Sequence, residues 1–224
     1  MKITLENNFI SATFESKGAE LISLIKKTTN LNFIWNGNPS FWAKHSPILF
    51  PIVGTLKNDT YYYNEQPYSL SRHGFARDMT FDIISQNENS ITFSLTSNKE
   101  TLVKFPFDFE LQLRYELIDS TLTFNYSILN TSAKDMPFSL CAHPAFALNK
   151  GFSEYSLKFE HQETLNCFVL EHDLLSNNNY PVELNQKSMA LDYSLFEKDA
   201  LIFKELQSKT IAIEENGKPI LIVS

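Results

Sequence analysis

The chain has 224 residues, with 19 Lys+Arg against 26 Asp+Glu for a net charge of −7, and 43% of it is hydrophobic. This balance suits a soluble globular protein with a large core and argues against a nucleic-acid partner, which would draw on clustered Lys and Arg. No stretch approaches the ~20 apolar residues that span a bilayer, the start MKITLENNFI lacks a signal peptide's apolar run, and neither Cys141 nor Cys167 sits in a metal or redox spacing, so a cytoplasmic protein with reduced thiols and no membrane contact is expected.

Period-two alternation dominates the chain from its beginning. Ile10, Ala12 and Phe14 alternate with polar residues, placing one face of a strand inward and one outward. Two tyrosine-rich strands flank a turn at Asn64-Glu-Gln-Pro67, and residues 79–86 form a strand that ends at the turn Asn87-Glu-Asn-Ser90. Ile91, Phe93 and Leu95 continue the pattern, and residues 98–104 have room for one short helical turn. Residues 109–117 are apolar at odd positions and residues 122–128 at even ones, separated by Asp119-Ser120. Tyr155, Leu157 and Phe159 alternate again. The three asparagines within 176–180 read as a surface loop, and residues 191–196 as a second short helical turn. Residues 210–215 and 219–224 read as a hairpin closed by Asn216-Gly217. The 19 phenylalanines and 9 tyrosines favour strands. Six glycines without a glycine-rich loop leave no nucleotide-binding fingerprint.

The expected fold is therefore all-β: a large antiparallel β-sandwich forming a single domain over residues 1–224. Its last apolar strand has nothing after it, which reads as a domain lacking its C-terminal strands.

Three polar islands interrupt the strands. SRHGFARD (71–78) crowds Arg72, His73 and Arg77 around Gly74, which lets the backbone turn sharply. By spacing alone it reads equally as a site and as a solvated loop whose histidine caps its own backbone. In CAHPAF (141–146), Pro144 holds His143 in extended geometry and so sets the direction of its imidazole; a core histidine bonded to a carbonyl fits the same pattern. In the third island, Asp199 precedes the apolar run 200–203, where a carboxylate is ordinarily a turn residue.

Taken in order, PILFPIVG (47–54), RHGFAR (72–77), HPAF (143–146) and, in support, DALIF (199–203) resemble the motifs of the aldose 1-epimerase (galactose mutarotase) superfamily. The similarity is greatest to its shorter bacterial galactose mutarotase-related branch, itself similar to the hexose 6-phosphate 1-epimerases. The resemblance implies a many-stranded supersandwich and interconversion of sugar anomers by proton transfer, without metal or organic cofactor. It implies His143 as the acid on the ring oxygen and His73 as a hydrogen-bonding partner that steadies developing charge. Asp199 would bind sugar hydroxyls and Arg77 would line the pocket. Histidine suits such work, because its unperturbed pKa near ~6.5 lets it give and recover a proton at neutral pH.

Arg72, Lys44 and His45 are further candidates for the sugar cleft, and Trp35 and Trp42 read either as sugar-stacking rings or as packing at the sandwich edge. His161 and His172 match no motif and read as structural, while Phe75 and Phe146 read as pocket walls. The family's general-base glutamate has no counterpart within residues 211–224, where Glu214 and Glu215 read as solvent-facing. Two other readings accompany the epimerase: a hexose 6-phosphate 1-epimerase, which would recruit more Arg or Lys, and a non-catalytic carbohydrate-binding protein. The partner expected in each case is a small-molecule sugar. Nothing in the sequence sets the oligomeric state.

Overall fold

In the computed structural model, which describes residues 1–224, 48% of residues lie in strands and 8% in helices. Every ladder between strands is antiparallel, so the all-β antiparallel class read from the alternation is correct. No helix is long and apolar enough to cross a membrane. The chain divides into two compact units, Met1–Ala147 and Leu148–Ser224.

In the first unit, β1 (Lys2–Glu6), β2 (Ile10–Glu15), β3 (Glu20–Lys26) and β4 (Leu31–Asn32) form one sheet in chain order. Next come the short β5 (Ile48–Leu49) and a hairpin of β6 (Thr60–Tyr63) and β7 (Gln66–Ser69). Its turn is narrower than the sequence suggested: Asn64 and Glu65 alone take positive φ, and Gln66 and Pro67 belong to β7. A second sheet holds β8 (Asp82–Gln86), β9 (Ser90–Thr96), β10 (Phe109–Ile118) and β11 (Thr121–Asn130) in the order β11-β10-β9-β8. Between β9 and β10 lies α1 (Lys99–Lys104), whose cap Asn98 accepts from the Glu100 and Thr101 amides, satisfying donors a helix start leaves open. Last, β12 (Cys141–Ala142) pairs with β5.

The alternation in β10 decides how these two sheets pack. Phe109, Leu111, Leu113, Tyr115 and Leu117 are all buried, while the residues between them are half-buried. Phe14 of β2 meets Tyr115 at 4.4 Å and Phe93 of β9 at 6.2 Å between ring centroids. The Tyr115 hydroxyl, fully inside, donates to the Ala19 carbonyl at 2.7 Å, so it carries no unpaired polar group into the core. The two sheets thus lie face to face over one aromatic and aliphatic layer.

The second unit holds β13 (Tyr155–Phe159), β14 (Leu165–Glu171), β15 (Leu174–Val182), β16 (Ser188–Ala190), β17 (Ile202–Phe203), β18 (Ile211–Glu215) and β19 (Lys218–Val223). They form two sheets, ordered β16-β13-β18-β19 and β15-β14-β17. The β18–β19 hairpin turns on Asn216 and Gly217, both at positive φ, as an Asn-Gly pair requires. The asparagine run is not a loop, as its composition suggested, but lies within β15. Only Asn179 is paired in the ladder, with Phe168; Asn177 and Asn178 fall where the β14–β15 register shifts, and there the Asn178 side chain donates to Glu171 at 2.6 Å.

Candidate active site

Two of the polar islands meet at β5, one on the segment that leads into it and the other on the residue that follows it. Phe50 is fully buried, and its carbonyl accepts from the amides of Phe75 (3.0 Å) and Ala76 (3.2 Å). This crossing leaves no room for a side chain at Gly74, where a Cβ would stand 2.3 Å from the Phe50 oxygen; φ there is +72°. His73, just before it, is also left-handed at φ +70°. Such backbone is costly for a non-glycine residue and persists only where its surroundings over-determine it. A reciprocal pair does so here: the His73 amide donates to the Gly54 carbonyl at 2.8 Å, and the Gly54 amide donates to His73 Nδ1 at 3.0 Å.

That second bond fixes the chemistry of the ring. An Nδ1 that accepts carries no proton, so the neutral ring bears its hydrogen on Nε2 and is a donor there. Burial first, then the charges of Arg77 and Arg72 and the neighbouring His143, hold the His73 pKa down to about 4.

His143 follows β12. Its amide donates to the Pro47 carbonyl at 3.1 Å, the Ala145 amide donates to the His45 carbonyl at 2.8 Å, and Phe146 bridges to Ile34. The main chain of the HPAF island is thereby laid along the segment leading into β5. The imidazole is exposed. Its ring centroid lies 5.9 Å from that of His73 and 5.2 Å from that of Trp42. Residues seventy apart in sequence therefore place two imidazoles side by side, one locked and half-buried, the other open to solvent.

Among the remaining first-unit candidates, Arg72, Arg77 and Lys44 are tied to one another and to Asp78. Arg77 Nη2 donates to the Arg72 carbonyl at 2.8 Å, and its Nε lies 3.6 Å from Asp78 Oδ2. Lys44 Nζ donates to the Arg77 carbonyl (3.1 Å) and to Asp78 Oδ1 (3.0 Å). His45 is pressed against Gly37, where a Cβ would come within 2.5 Å of its Nε2. Beneath it lies a residue that sequence reasoning missed, Glu20. This carboxylate is only 5% exposed and accepts from the amides of both His45 and Ser46. No local signal marks it, because its partners lie 25 and 26 residues further on. Phe75 is a core residue at 6% exposure rather than a pocket wall, because its amide is tied to Phe50 inside the aromatic cluster.

Asp199 lies in the second unit, exposed, at φ +80°, with Oδ1 accepting from the next amide, Ala200, at 2.7 Å. Glu214 and Glu215 are half-buried rather than solvent-facing. Ser156 donates to Glu214 at 3.3 Å. Glu215 pairs with Lys150 at 2.8 Å and accepts from the Tyr155 hydroxyl at 3.0 Å, and the Lys150 contact foremost holds its carboxyl below the usual range. His161 contacts Glu160 and Ser208 near the surface, and His172 sits in an exposed turn at φ +51°.

An antiparallel all-β scaffold carrying a histidine pair on these motifs defines the class, and comparison with known proteins agrees. The Aldose 1-epimerase model matches residues 1–220, and the chain belongs to that family. It is 36% identical to the plasmid-borne protein LacX of Lactococcus lactis subsp. lactis, over 99% of this chain and 79% of that protein. A galactose mutarotase related enzyme from Lactobacillus acidophilus superposes with a TM-score of 0.91 at 35% identity, covering 96% of this chain and 74% of the other. A galactose mutarotase-like protein from Lactobacillus casei ATCC 334 gives 0.89 at 32% identity, covering 96% and 76%.

Proposed function

We propose that this protein is an aldose 1-epimerase acting on an unphosphorylated hexose, with His143 as the acid and His73 as a fixed neutral donor beside it. The observation that carries the reading is the histidine pair itself: adjacent rings, one of them locked with its proton on Nε2. In the forward half-reaction a base takes the anomeric hydroxyl proton, the bond from C1 to the ring oxygen breaks, and His143 protonates that oxygen. Rotation about C1–C2 presents the other carbonyl face, and the transfers run in reverse to close the opposite anomer. His73, donating from Nε2, steadies charge at the oxygen while His143 exchanges its proton.

No residue of this chain is assigned as the base. Glu215 is a poor candidate, since Lys150 and Tyr155 occupy its carboxylate. For Asp199 we keep the hydroxyl-binding role the motif implies, through the Oδ2 that Ala200 does not use. Arg77 and Arg72 line the histidine pair. The unphosphorylated substrate is favoured because Lys44 and Arg77, cations a phosphate would recruit, are engaged with Asp78 and backbone carbonyls.

The test is anomer exchange followed by magnetisation-transfer NMR on galactose, glucose and their 6-phosphates. We expect exchange faster than buffer with the free sugars, and a loss of ~10²–10⁴-fold in His143→Ala. Absence of acceleration overturns the reading, and sugar binding without exchange makes the chain a carbohydrate-binding protein.

A further inference from the structure

We infer that Trp42 is a positioning residue for His143: its indole forms one wall of the seat that sets the direction of the imidazole, with Trp35 as the strut behind it. The inference rests on the proposed role of His143 as acid, and its test includes a readout independent of turnover.

The need for a wall follows from torsional freedom. The backbone at His143 is fixed by the Pro47 carbonyl and the β12–β5 pairing. Backbone and χ1 still leave the ring plane open, because χ2 of histidine is a broad two-fold torsion with no narrow staggered well. His73 is bound through Nδ1, whereas the neighbours that the fold gives the His143 ring are aromatic: Trp42 at 5.2 Å and 56°, and His73 at 5.9 Å and 49°. An exposed imidazole between two tilted rings can turn only as far as they allow.

Trp42 is itself held. Trp35 Nε1 donates to the Trp42 carbonyl at 2.8 Å, and the Trp35 amide donates to the Ala145 carbonyl at 2.9 Å, two residues beyond His143. Within the loop, Asn36 Oδ1 accepts from the Asn38 amide, Asn38 Oδ1 accepts from the Ser40 amide, and the Asn38 carbonyl accepts from the amides of Phe41 and Trp42. The loop is thus a closed bracket that starts on one side of His143, folds on its own asparagines, and returns with an indole against the ring. A sugar-stacking surface would call for a ring facing open solvent. Phe41, 81% exposed, fits that description, whereas Trp42 is half-buried against His143.

The experiment compares Trp42→Leu, Trp42→Phe and Trp35→Phe in the full chain. The first readout is the NMR shift of the His143 ring protons, assigned by their loss in His143→Ala; the second is the kcat and KM of anomer exchange. We expect Trp42→Leu to move the His143 ring resonances out of the indole's ring-current field and to lower kcat about tenfold with KM little changed, as misplacement of a catalytic group does. Trp42→Phe, which keeps a ring in place, should recover most of kcat, and Trp35→Phe, which keeps the ring but removes the indole donor, should fall between. Unmoved His143 resonances in Trp42→Leu overturn the inference, as does a rise in KM alone, which would make Trp42 a sugar platform. If the wild type shows no exchange, the epimerase reading fails, while nuclear Overhauser contacts of the His143 ring protons in wild type and Trp42→Leu, which report the ring's orientation, still decide whether Trp42 seats the ring. If Trp42→Leu does not fold, Trp42→Phe and Trp35→Phe carry the same two readouts.

Discussion

His73 illustrates how one backbone bond can set a side chain's chemistry. With Nδ1 occupied by the Gly54 amide and Arg72 and Arg77 nearby, the ring is a donor that does not change charge across the neutral range. The consequence for stability has a definite sign. Its folded pKa, about 4, lies below the ordinary 6.5, so the unfolded chain takes up this proton first as the pH falls. The stabilisation is full above about pH 6.5 and is lost as the pH drops towards about 4. We expect His73→Asn, which removes the titrating ring and tolerates left-handed φ, to flatten the decline of Tm over that interval. Thermal melts of both proteins at stepped pH will check this; parallel declines would contradict it. The RHGFAR spacing and its glycine were legible in the sequence, but the Gly54 bond was not, because it joins two motifs.

At the scale of elements, the site is a matter of short segments laid across one another. The loop from β4 to β5 carries Trp35, Trp42, Lys44 and His45, and its far end is clamped by the Glu20 carboxylate through the His45 and Ser46 amides. Removing that acceptor leaves two partly buried amide donors unpaired. Glu20→Ala should therefore cost ~2–3 kcal/mol, lowering Tm by roughly 4–12 °C, and should also slow exchange, since the clamped loop supports His143. Glu20→Gln, which keeps one acceptor oxygen, should lose less. A Tm for Glu20→Ala within a degree of wild type would show that the clamp contributes nothing. The sequence could not reveal Glu20, which stands at the start of β3 with no motif around it. Its readable elements were those governed by local rules: the alternation of β10, the short helical turn within 98–104 and the Asn216-Gly217 turn. The asparagines of β15 were misread because the strand runs through them by way of an irregularity, with only Asn179 paired to β14 and the Asn178 side chain tied to Glu171.

For the molecule as a whole, the class of fold followed from alternation repeated along the chain, and the placing of His73 and His143 together followed from motif order through a family resemblance. What alternation cannot convey is which distant segments touch. The joining of Cys141–Ala142 to Ile48–Leu49 is a two-residue ladder between stretches roughly ninety residues apart, and closing so long a loop carries a large entropic cost for little pairing. The sheets β1–β4 and β8–β11, built mainly from neighbouring strands, face no such delay. We therefore expect the histidine pair to assemble late in refolding. The chain's two tryptophans both lie in the loop against His143, so their fluorescence reports on this corner, and in stopped-flow it should lag the far-UV signal of strand formation. Coincident traces would contradict this order of events. A lag would mean that the protein passes through a stage in which its strands are paired while its two imidazoles are still apart.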